Sequence, residues 1–218
     1  MAEVTDRSED RPSLREDARE RARARIVGGA CIALARSGLD ATIDEIAEEA
    51  GVSRRTVFRH FSSHSELVVA AIEASLRSIE ERLPRAPEPG DDVREWLMDS
   101  MISMHELVRR IAGRAFWDIH APHSGLAPEI LSALEAVAPN RRQLTSHLAA
   151  DAWAALSGSG RVPQWVEDAF EVHASGFATY ATLRYSAAET GRLSGRILWE
   201  VLKAALKESS DRELTTVF

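Results

Sequence analysis

The sequence is poor in features that several classes of protein need. Its 218 residues include one cysteine, Cys31, so no intramolecular disulfide can form, and a single thiol suits a reducing compartment. We find no run of about 18 apolar residues, so neither a membrane-spanning helix nor a membrane partner is predicted. The first residues are densely charged and lack the apolar stretch of a signal peptide. We therefore expect a cytoplasmic protein.

Acidic residues outnumber basic ones, 34 to 27, and lysine is almost missing. The net charge of -7 argues against a nucleic-acid partner, because phosphate binding depends on Lys and Arg. The distribution of charge is more informative than its sum. Between Ser13 and His64, nine arginines balance eight acidic residues. Three of these arginines, Arg54, Arg55 and Arg59, fall on one short predicted helix.

Sequence motifs of the common enzyme classes are missing as well. We find no Walker loop, no G-x-S-x-G elbow, no H-E-x-x-H pair and no cysteine-centred site. We therefore expect no enzyme and no cofactor. The segment from Asp118 to His123, which includes His120, has metal-compatible residue types without a fixed geometry. A metal-responsive protein is for this reason kept as an alternative.

Helical periodicity runs through almost every long segment, and no alternating strand pattern is found. Capping-box patterns at Ser13, Thr42 and Ser63 mark helix starts. A proline-rich linker covers Pro84 to Gly90, and Glu189 to Gly191 is predicted to be a turn. The predicted helices are Ser13–Ser37, Ile43–Ala50, Ser53–Phe61, His64–Leu83, Asp92–Ile111, Pro128–Val137, Asn140–Leu156, Pro163–Ser186 and Ser194–Glu208.

The first predicted helix has a small-sided buried stripe and a glycine pair. The stripe consists of Ala18, Ala22, Ile26, Ala30 and Leu34, at helical spacing. Two consecutive glycines inside a helix cost roughly 1 kcal/mol each relative to alanine. We expect Gly28 and Gly29 to be compensated by close packing against a neighbouring helix.

Two short helices joined by Gly-Val-Ser, under a longer one, form a helix-turn-helix. One small core is predicted from Ile46, Ala47, Val52, Val57 and Phe61. The outward face of the third helix is then Arg54, Arg55, Thr56, Arg59 and His60. Such a face fits the major groove of DNA, where Arg binds guanine and Thr contacts a thymine methyl. The alternative is an ordinary solvated helix, which the agreement of caps, turn glycine and apolar spacing disfavours.

At this point the sequence resembles the TetR family of regulators. The matching stretches are Ile26…Ala30…Leu34-Ala-Arg-Ser-Gly38, Thr42-Ile-Asp-Glu-Ile-Ala47, Gly51-Val-Ser53, Thr56-Val-Phe-Arg-His-Phe61 and Ser63…Glu66-Leu67. The resemblance covers about a fifth of the chain. It implies an all-α fold of about nine helices, with an N-terminal three-helix helix-turn-helix head and a larger helical body for effector binding and dimerisation. We expect a disordered arm over residues 1–12, the DNA-binding domain over 13–62 and the body over 63–218.

The resemblance also implies which residues contact the DNA operator. They are Thr42, Ser53, Arg54, Arg55, Thr56, Phe58, Arg59, His60 and His64. The chain has Phe58 where the family usually has Tyr, and His64 where it usually has Lys, and both changes weaken contacts to the DNA backbone. The N-terminal arm carries arginines that could enter a minor groove, but interspersed acidic residues favour a solvated tail.

Large side chains on the predicted helices of the body supply both a core and a candidate pocket. Most such residues are core, and a subset could line a largely apolar site in which a histidine orients the ligand. The candidates are Trp96, Met101, Met104, His105, Phe116, Trp117, His120, Trp153, Phe170, His173 and Phe177. We expect the effector to be a small, partly hydrophobic molecule.

The last two predicted helices are the candidate dimer interface. Small residues allow helices to approach closely, and they occur at Ala174, Ser175, Gly176, Ala178 and Ala181. A matching stripe on the last helix is Leu193, Ile197, Val201 and Ala204. A homodimer would pair two heads on symmetric half-sites. The resulting hypothesis is a dimeric repressor released from its operator by a small molecule; the alternative is a helical protein-binding or structural module without DNA binding.

Overall fold

The computed structural model of the chain describes residues 14–111, 113–115, 128–158, 160–176 and 184–216. Over these ranges every regular element is helical and no strand occurs, which confirms the predicted all-α fold. None of the helices in them is long and apolar enough to cross a membrane. The α-helices are α1 (Leu14–Ser37), α2 (Ile43–Glu49), α3 (Arg54–His60), α4 (His64–Glu80), α5 (Val93–Ile111), α6 (Pro128–Ala155), α7 (Gln164–Glu171) and α8 (Ala187–Thr216), with a 3₁₀ turn at Gly38–Asp40 and a π-helical turn at Val172–Gly176.

Predicted N-cap residues determine where the short helices of the head begin. Thr42 and Glu45 form a complete capping box at the start of α2: the Thr42 Oγ1 accepts from the Glu45 N–H, and the Glu45 carboxylate accepts from the Thr42 N–H at 2.7 Å. Ser53 caps α3 by accepting from the Thr56 N–H at 3.2 Å. Ser63 caps α4 in the same way. Because each cap satisfies otherwise unpaired N–H groups, helices of only seven residues begin at defined positions.

The residues predicted to form the small core of the head do form it. Ile46, Ala47, Val57 and Phe61 are buried, and Val52 packs against them. From α1 the core receives Ile26, Ala30 and Leu34, and from α4 it receives Leu67, Val68, Ala71 and Ile72. This core fixes the orientation of α3, because the apolar side chains of Val57 and Phe61 are held inside.

The glycine pair of α1 divides into one glycine with a packing role and one without. A Cβ at Gly29 would lie 2.7 Å from the backbone nitrogen of Ala50, so only glycine allows this approach of α1 to the end of α2. A Cβ at Gly28 would meet nothing within 4 Å. The predicted compensation is therefore confirmed for Gly29 and wrong for Gly28.

The buried stripe of α1 begins later in the chain than predicted, at Ile26. Ile26, Ala30 and Leu34 are buried, but Ala22 is only half-buried and Ala18 is exposed. The first turns of α1 extend beyond the head core and run alongside α3, so alanines there line a surface groove. This extension places the arginines of α1 next to the candidate DNA-binding helix.

The body is built on close packing of α8 against α5. Gly191 leaves no room for a Cβ, because the backbone of Ile102 lies 2.5 Å from that position, and at Gly195 a Cβ would lie 2.7 Å from the Met98 Sδ and 3.2 Å from the Met98 Cα. Around this contact the body core consists of Leu97, Met101, Met104, Leu148, Trp153, Val166, Phe170, Leu198 and Leu202. The side of α8 that carries Gly191 and Gly195 therefore packs against α5 of the same chain.

One long helix replaces the two predicted around Pro139. The structure has α6 running without interruption through this proline. A helix-interior proline removes one hydrogen bond and costs about 3 kcal/mol. Burial offsets this cost, because Ile130 and Val137 pack into the head cluster whereas Leu144 and Leu148 pack into the body core. The predicted break is wrong because it rests on the proline alone and not on the two cores.

The last helix begins earlier than predicted, and the predicted turn at 189–191 is wrong. The Ser186 Oγ accepts from the Glu189 N–H, and the Glu189 carboxylate accepts from the Ser186 N–H at 2.8 Å. This capping box starts α8 at Ala187, so Gly191 lies inside the helix. The preceding predicted helix is described as α7 and the π-helical turn up to Gly176; residues 177–183, with Ala178 and Ala181, lie outside the described residues, and residues 184–186 form a turn before α8, so the predicted helix end at Ser186 is wrong.

Candidate DNA-binding interface

Helix α3 presents one charged face to solvent. Arg54, Arg55 and Arg59 are exposed, and so is nearly half of the Phe58 side chain. Thr56 is half-buried, and its hydroxyl lies 3.0 Å from the Ser53 Oγ at the helix start. The predicted outward face therefore forms on a helix anchored at both its cap and its core.

The arginines of α3 differ in whether they have a partner within the chain. The Arg54 guanidinium donates to the Asp44 carboxylate of α2 at 3.0 Å, and both side chains are exposed. Within the described part of the chain, Arg55 and Arg59 have neither an ion pair nor a hydrogen bond from their side chains. An exposed ion pair is worth at most about 1 kcal/mol. Arg55 and Arg59 can therefore bind an anion without first breaking an ion pair or a hydrogen bond within the described part of the chain.

His60 does not share this outward face, which corrects the sequence prediction. Its ring is half-buried, and both ring nitrogens are inaccessible to solvent with no hydrogen-bond partner among the described residues. It lines a groove against α1 together with Glu16, Arg19, Glu20 and Arg23. Desolvation, followed by the charges of Arg59, Arg19 and Arg23, lowers the pKa of His60. The ring is therefore kept neutral at pH 7 and adds no positive charge to the interface.

His64 has a structural partner that the sequence did not reveal. Its Nε2 lies 2.8 Å from the carbonyl oxygen of Ala41, which can only accept a hydrogen bond, so Nε2 carries the proton. In the neutral ring Nδ1 is then an acceptor, and it can donate to a phosphate only when the ring is protonated. Thr42 and Ser53, the other predicted contacts off the α3 face, use their side-chain oxygens as helix caps.

Arg23 of α1 is a structural residue that sequence reasoning missed. It donates to the His60 carbonyl at 2.8 Å and to the Glu66 carboxylate at 3.5 Å, and its guanidinium lies 4.1 Å from the centre of the Phe61 ring. It therefore ties α1 to the end of α3 and the start of α4. These partners are 37 or more residues away along the chain, so no local sequence signal identifies them.

Most of the candidate pocket residues in the body form its core. Met101, Met104, His105, Trp153 and Phe170 are buried, and His173 is half-buried. Trp96 has a different role, since its indole N–H donates to the Arg85 carbonyl at 2.7 Å and holds the linker. The predicted lining residues Phe116, Trp117, His120 and Phe177 lie outside the described residues.

Several buried polar atoms of this body lack a hydrogen-bond partner among the described residues, including those of the candidate pocket residues His105 and Trp153. The His105 side chain is only 3% exposed, and its Nε2 has no hydrogen-bond partner among the residues described. The buried Trp153 Nε1 also has no hydrogen-bond partner among the described residues. Burial, with a smaller effect of His173, lowers the pKa of His105 to about 4, so this ring is neutral at pH 7. Buried polar groups without a partner are costly, and a bound polar molecule would satisfy them.

The structure contains no cluster of three His, Cys, Asp or Glu side chains able to hold a metal, as far as its described residues reach. The candidate segment from Asp118 to His123 lies outside them.

The outer side of α8 carries the stripe predicted for dimerisation. Leu193 is 38% exposed, Ile197 and Val201 are half-buried, and Ala204 is exposed. Gly191 and Gly195 of α8 pack on α5, and Val201 packs partly against the body core, so Leu193 and Ala204 are the exposed members of the stripe.

Comparisons with known proteins agree with the geometry of the head. Residues 26–71 match the family described as bacterial regulatory proteins, tetR family. No curated protein matches the chain. Among solved structures, a tetR-family transcriptional regulator from Streptomyces coelicolor is 19% identical, with a TM-score of 0.63 over 88% of this chain and 89% of that one.

Two further similar structures are regulators named FadR. The fatty acid degradation regulator FadR from Bacillus halodurans is 12% identical, with a TM-score of 0.58 over 81% of this chain and 94% of that one. FadR from Bacillus subtilis, solved in complex with stearoyl-CoA, is 10% identical, with a TM-score of 0.58 over 80% of this chain and 96% of that one. At these identities the likeness establishes the fold alone.

Proposed function

We propose that this chain, whose N-terminal domain and fold are those of the TetR family, is a homodimeric DNA-binding repressor that a small molecule releases from its operator. The observation that carries DNA binding is the exposed face of α3, on which Arg55 and Arg59 have no partner within the described chain. A buried apolar side and a capped start hold that face in place. Its role is to bind DNA rather than to catalyse a reaction.

The division of labour on α3 follows from the contacts of its arginines. A helix of this size fits the major groove, where a guanidinium binds the O6 and N7 atoms of guanine in a bidentate manner. Arg55 reaches a base without losing an internal contact, whereas Arg54 must first leave Asp44. We assign base recognition mainly to Arg55, with Arg54 in a secondary role and with the methyl group of Thr56 close to the bases.

The effector site lies in the body, around the unpartnered polar atoms of His105 and Trp153. The body core to which Trp153 belongs also contains Met101, Met104 and Phe170, which favours an amphipathic ligand with one hydrogen-bonding group. FadR from Bacillus subtilis, a protein of similar fold, was solved with stearoyl-CoA, which supports a long-chain acyl compound as the first ligand to test.

The dimer forms through the outer stripe of α8. Apolar side chains exposed along one helix face can be covered by the same face of a second copy around a two-fold axis. This arrangement places two α3 helices on two half-sites of one operator.

The experiment that tests the proposal starts from a duplex selected by the full-length chain out of a random library. Binding is measured at fixed salt by fluorescence anisotropy for the wild type, Arg55→Ala, Arg54→Ala and Arg161→Ala. We expect Arg55→Ala to cost about 1–3 kcal/mol, Arg54→Ala to cost less, and the distant, exposed Arg161→Ala to have no effect. Stearoyl-CoA added to the complex should release the DNA.

Two results would contradict this function. If no duplex is enriched by the wild-type chain, the protein does not act through DNA. If a duplex is enriched but Arg55→Ala binds it like the wild type, α3 is not the helix that recognises the bases. Retention of the complex across a series of acyl-CoA chain lengths would remove only the assignment of effector class.

A further inference from the structure

Two grooves run along opposite flanks of α1, and they differ in charge. The first groove, of about 520 Å³, lies between α1 and α3 and is lined by Ala18, Arg21, Ala22, Arg25, Gly51, Val52, Thr56 and Arg59; we call it the arginine groove. The second, of about 370 Å³, is lined by Glu16, Arg19, Glu20, Arg23 and His60; we call it the mixed groove. Three arginines and no carboxylate line the arginine groove, whereas two carboxylates line the mixed groove.

The positive charge of the arginine groove is not neutralised inside the chain. Arg21 and Arg59 have no ion pair or hydrogen bond from their side chains within the described ranges. Asp17 lies one helical turn before Arg21 but forms no ion pair with it. The third arginine, Arg25, donates to the Gly51 carbonyl at 3.1 Å, which fixes one wall of the groove while its charge remains.

The position of the groove identifies the kind of anion that fits it. It opens beside Thr56 and Arg59, on the flank of the helix that enters the major groove under the proposed function. A helix in the major groove is bordered by two sugar-phosphate backbones, and half or more of protein–DNA hydrogen bonds go to these backbones. We propose that the arginine groove binds the phosphate backbone of double-stranded DNA through Arg21 and Arg59, with Arg25 adding its charge. This inference rests on the proposed function and adds α1 to the DNA-binding surface.

The proposal predicts a change in salt dependence rather than in sequence preference. Each phosphate that the protein neutralises contributes about 0.9 to the slope of log affinity against log salt, so removing one such arginine from each half of a dimer lowers the slope by about 1.8. The affinity advantage of the wild type over Arg21→Ala should therefore shrink about tenfold between 50 and 200 mM salt. The reduction in affinity should be nearly uniform across related duplexes, because phosphates carry no sequence information.

The test measures salt titrations of the full chain on the selected duplex for the wild type and three variants. Arg21→Ala should lower the slope, and Arg21→Lys should largely retain it because a lysine still supplies a point charge. Arg19→Ala is the matched control: it removes the same charge from the same helix, but on the flank of the mixed groove. We expect its slope to stay close to that of the wild type. Thermal melts establish that the variants are folded, as expected for an exposed arginine without a partner.

The outcomes separate this inference from the function on which it rests. A lowered slope for Arg21→Ala and not for Arg19→Ala supports the arginine groove. Equal slopes for Arg21→Ala and Arg19→Ala overturn it while Arg55→Ala continues to report on base recognition. Failure of the wild-type chain to enrich any duplex overturns both proposals.

Discussion

A buried histidine in the body predicts how stability depends on pH. His105 is 3% exposed, and burial, followed by the nearby His173, lowers its pKa from the ordinary value of 6.5 to about 4. In the unfolded chain His105 takes up a proton near pH 6.5, whereas in the folded chain it does so only near pH 4. Between these values the unfolded state binds more protons, so the free energy of unfolding falls as the pH falls. The full contribution is present above about pH 6.5.

The size of the effect follows from the difference between the two pKa values. One pKa unit corresponds to about 1.36 kcal/mol, so lowering the pH from 6.5 to 4 removes about 3 kcal/mol of stability. Carboxylates and other histidines titrate over the same range, so the variant His105→Leu is needed for a difference curve. His173, whose pKa burial also lowers, contributes in the same direction, and the part of its effect that does not depend on His105 cancels in that difference.

The assay is urea unfolding of the wild type and His105→Leu at half-unit steps from pH 7.5 to pH 4. We expect the wild type to lose stability relative to the variant by up to about 3 kcal/mol at the acid end. At neutral pH the variant should be at least as stable, because leucine removes a buried polar atom without a partner among the described residues. Parallel curves over the whole range would refute the reasoning and place the ring in contact with solvent.

Two further predictions concern α1 and the dimer. Gly28→Ala should stabilise the chain by about 1 kcal/mol because the new methyl group meets open space, whereas Gly29→Ala should destabilise it by contact with Ala50; equal effects in urea unfolding would contradict the packing of α1. Leu193→Glu on the outer stripe of α8 should give a monomer by light scattering, while Lys203→Glu, also exposed on α8, should stay dimeric. A dimeric Leu193→Glu would move the interface elsewhere.

The parts of the fold that local physics determines can be predicted from the sequence. Thr42, Ser53 and Ser63 mark helix starts because each side chain accepts from the backbone N–H three residues later, which is a purely local arrangement. The apolar spacing of α2 and α3 predicts their common core for the same reason. The capping box of Ser186 and Glu189 is equally legible, and the predicted turn there is wrong because it gives Gly191 more weight than the cap.

The missed features depend on contacts between distant segments. Pro139 predicts a break locally, and only the burial of both halves of α6 keeps the helix continuous. The bond from His64 to the Ala41 carbonyl and the three contacts of Arg23 join segments 23 or more residues apart. For the same reason Arg21 has no signature in sequence. Its proposed role follows from the groove that α1 and α3 form together.

Two helices connect the candidate effector site to the DNA-binding head. Helix α4 places Leu67 and Ile72 in the head core and Ile79 in the body core, and α6 contributes Val137 to the first and Leu144 to the second. A ligand changes affinity for DNA only if it binds two arrangements of the chain unequally. Because close-packed cores shift as units rather than deform, a ligand that moves the body ends of α4 and α6 also moves their head ends.

Arg23 extends this connection to the helix that recognises the bases under the proposed function. It joins the start of α4 to the end of α3 through its contacts with Glu66 and His60, so we expect a tilt of α4 to move the helix that carries Arg55 as well. Loss of DNA binding then needs only a rotation of this connected unit, because a rotation changes the separation of the two α3 helices in a dimer while the half-sites of the operator stay fixed.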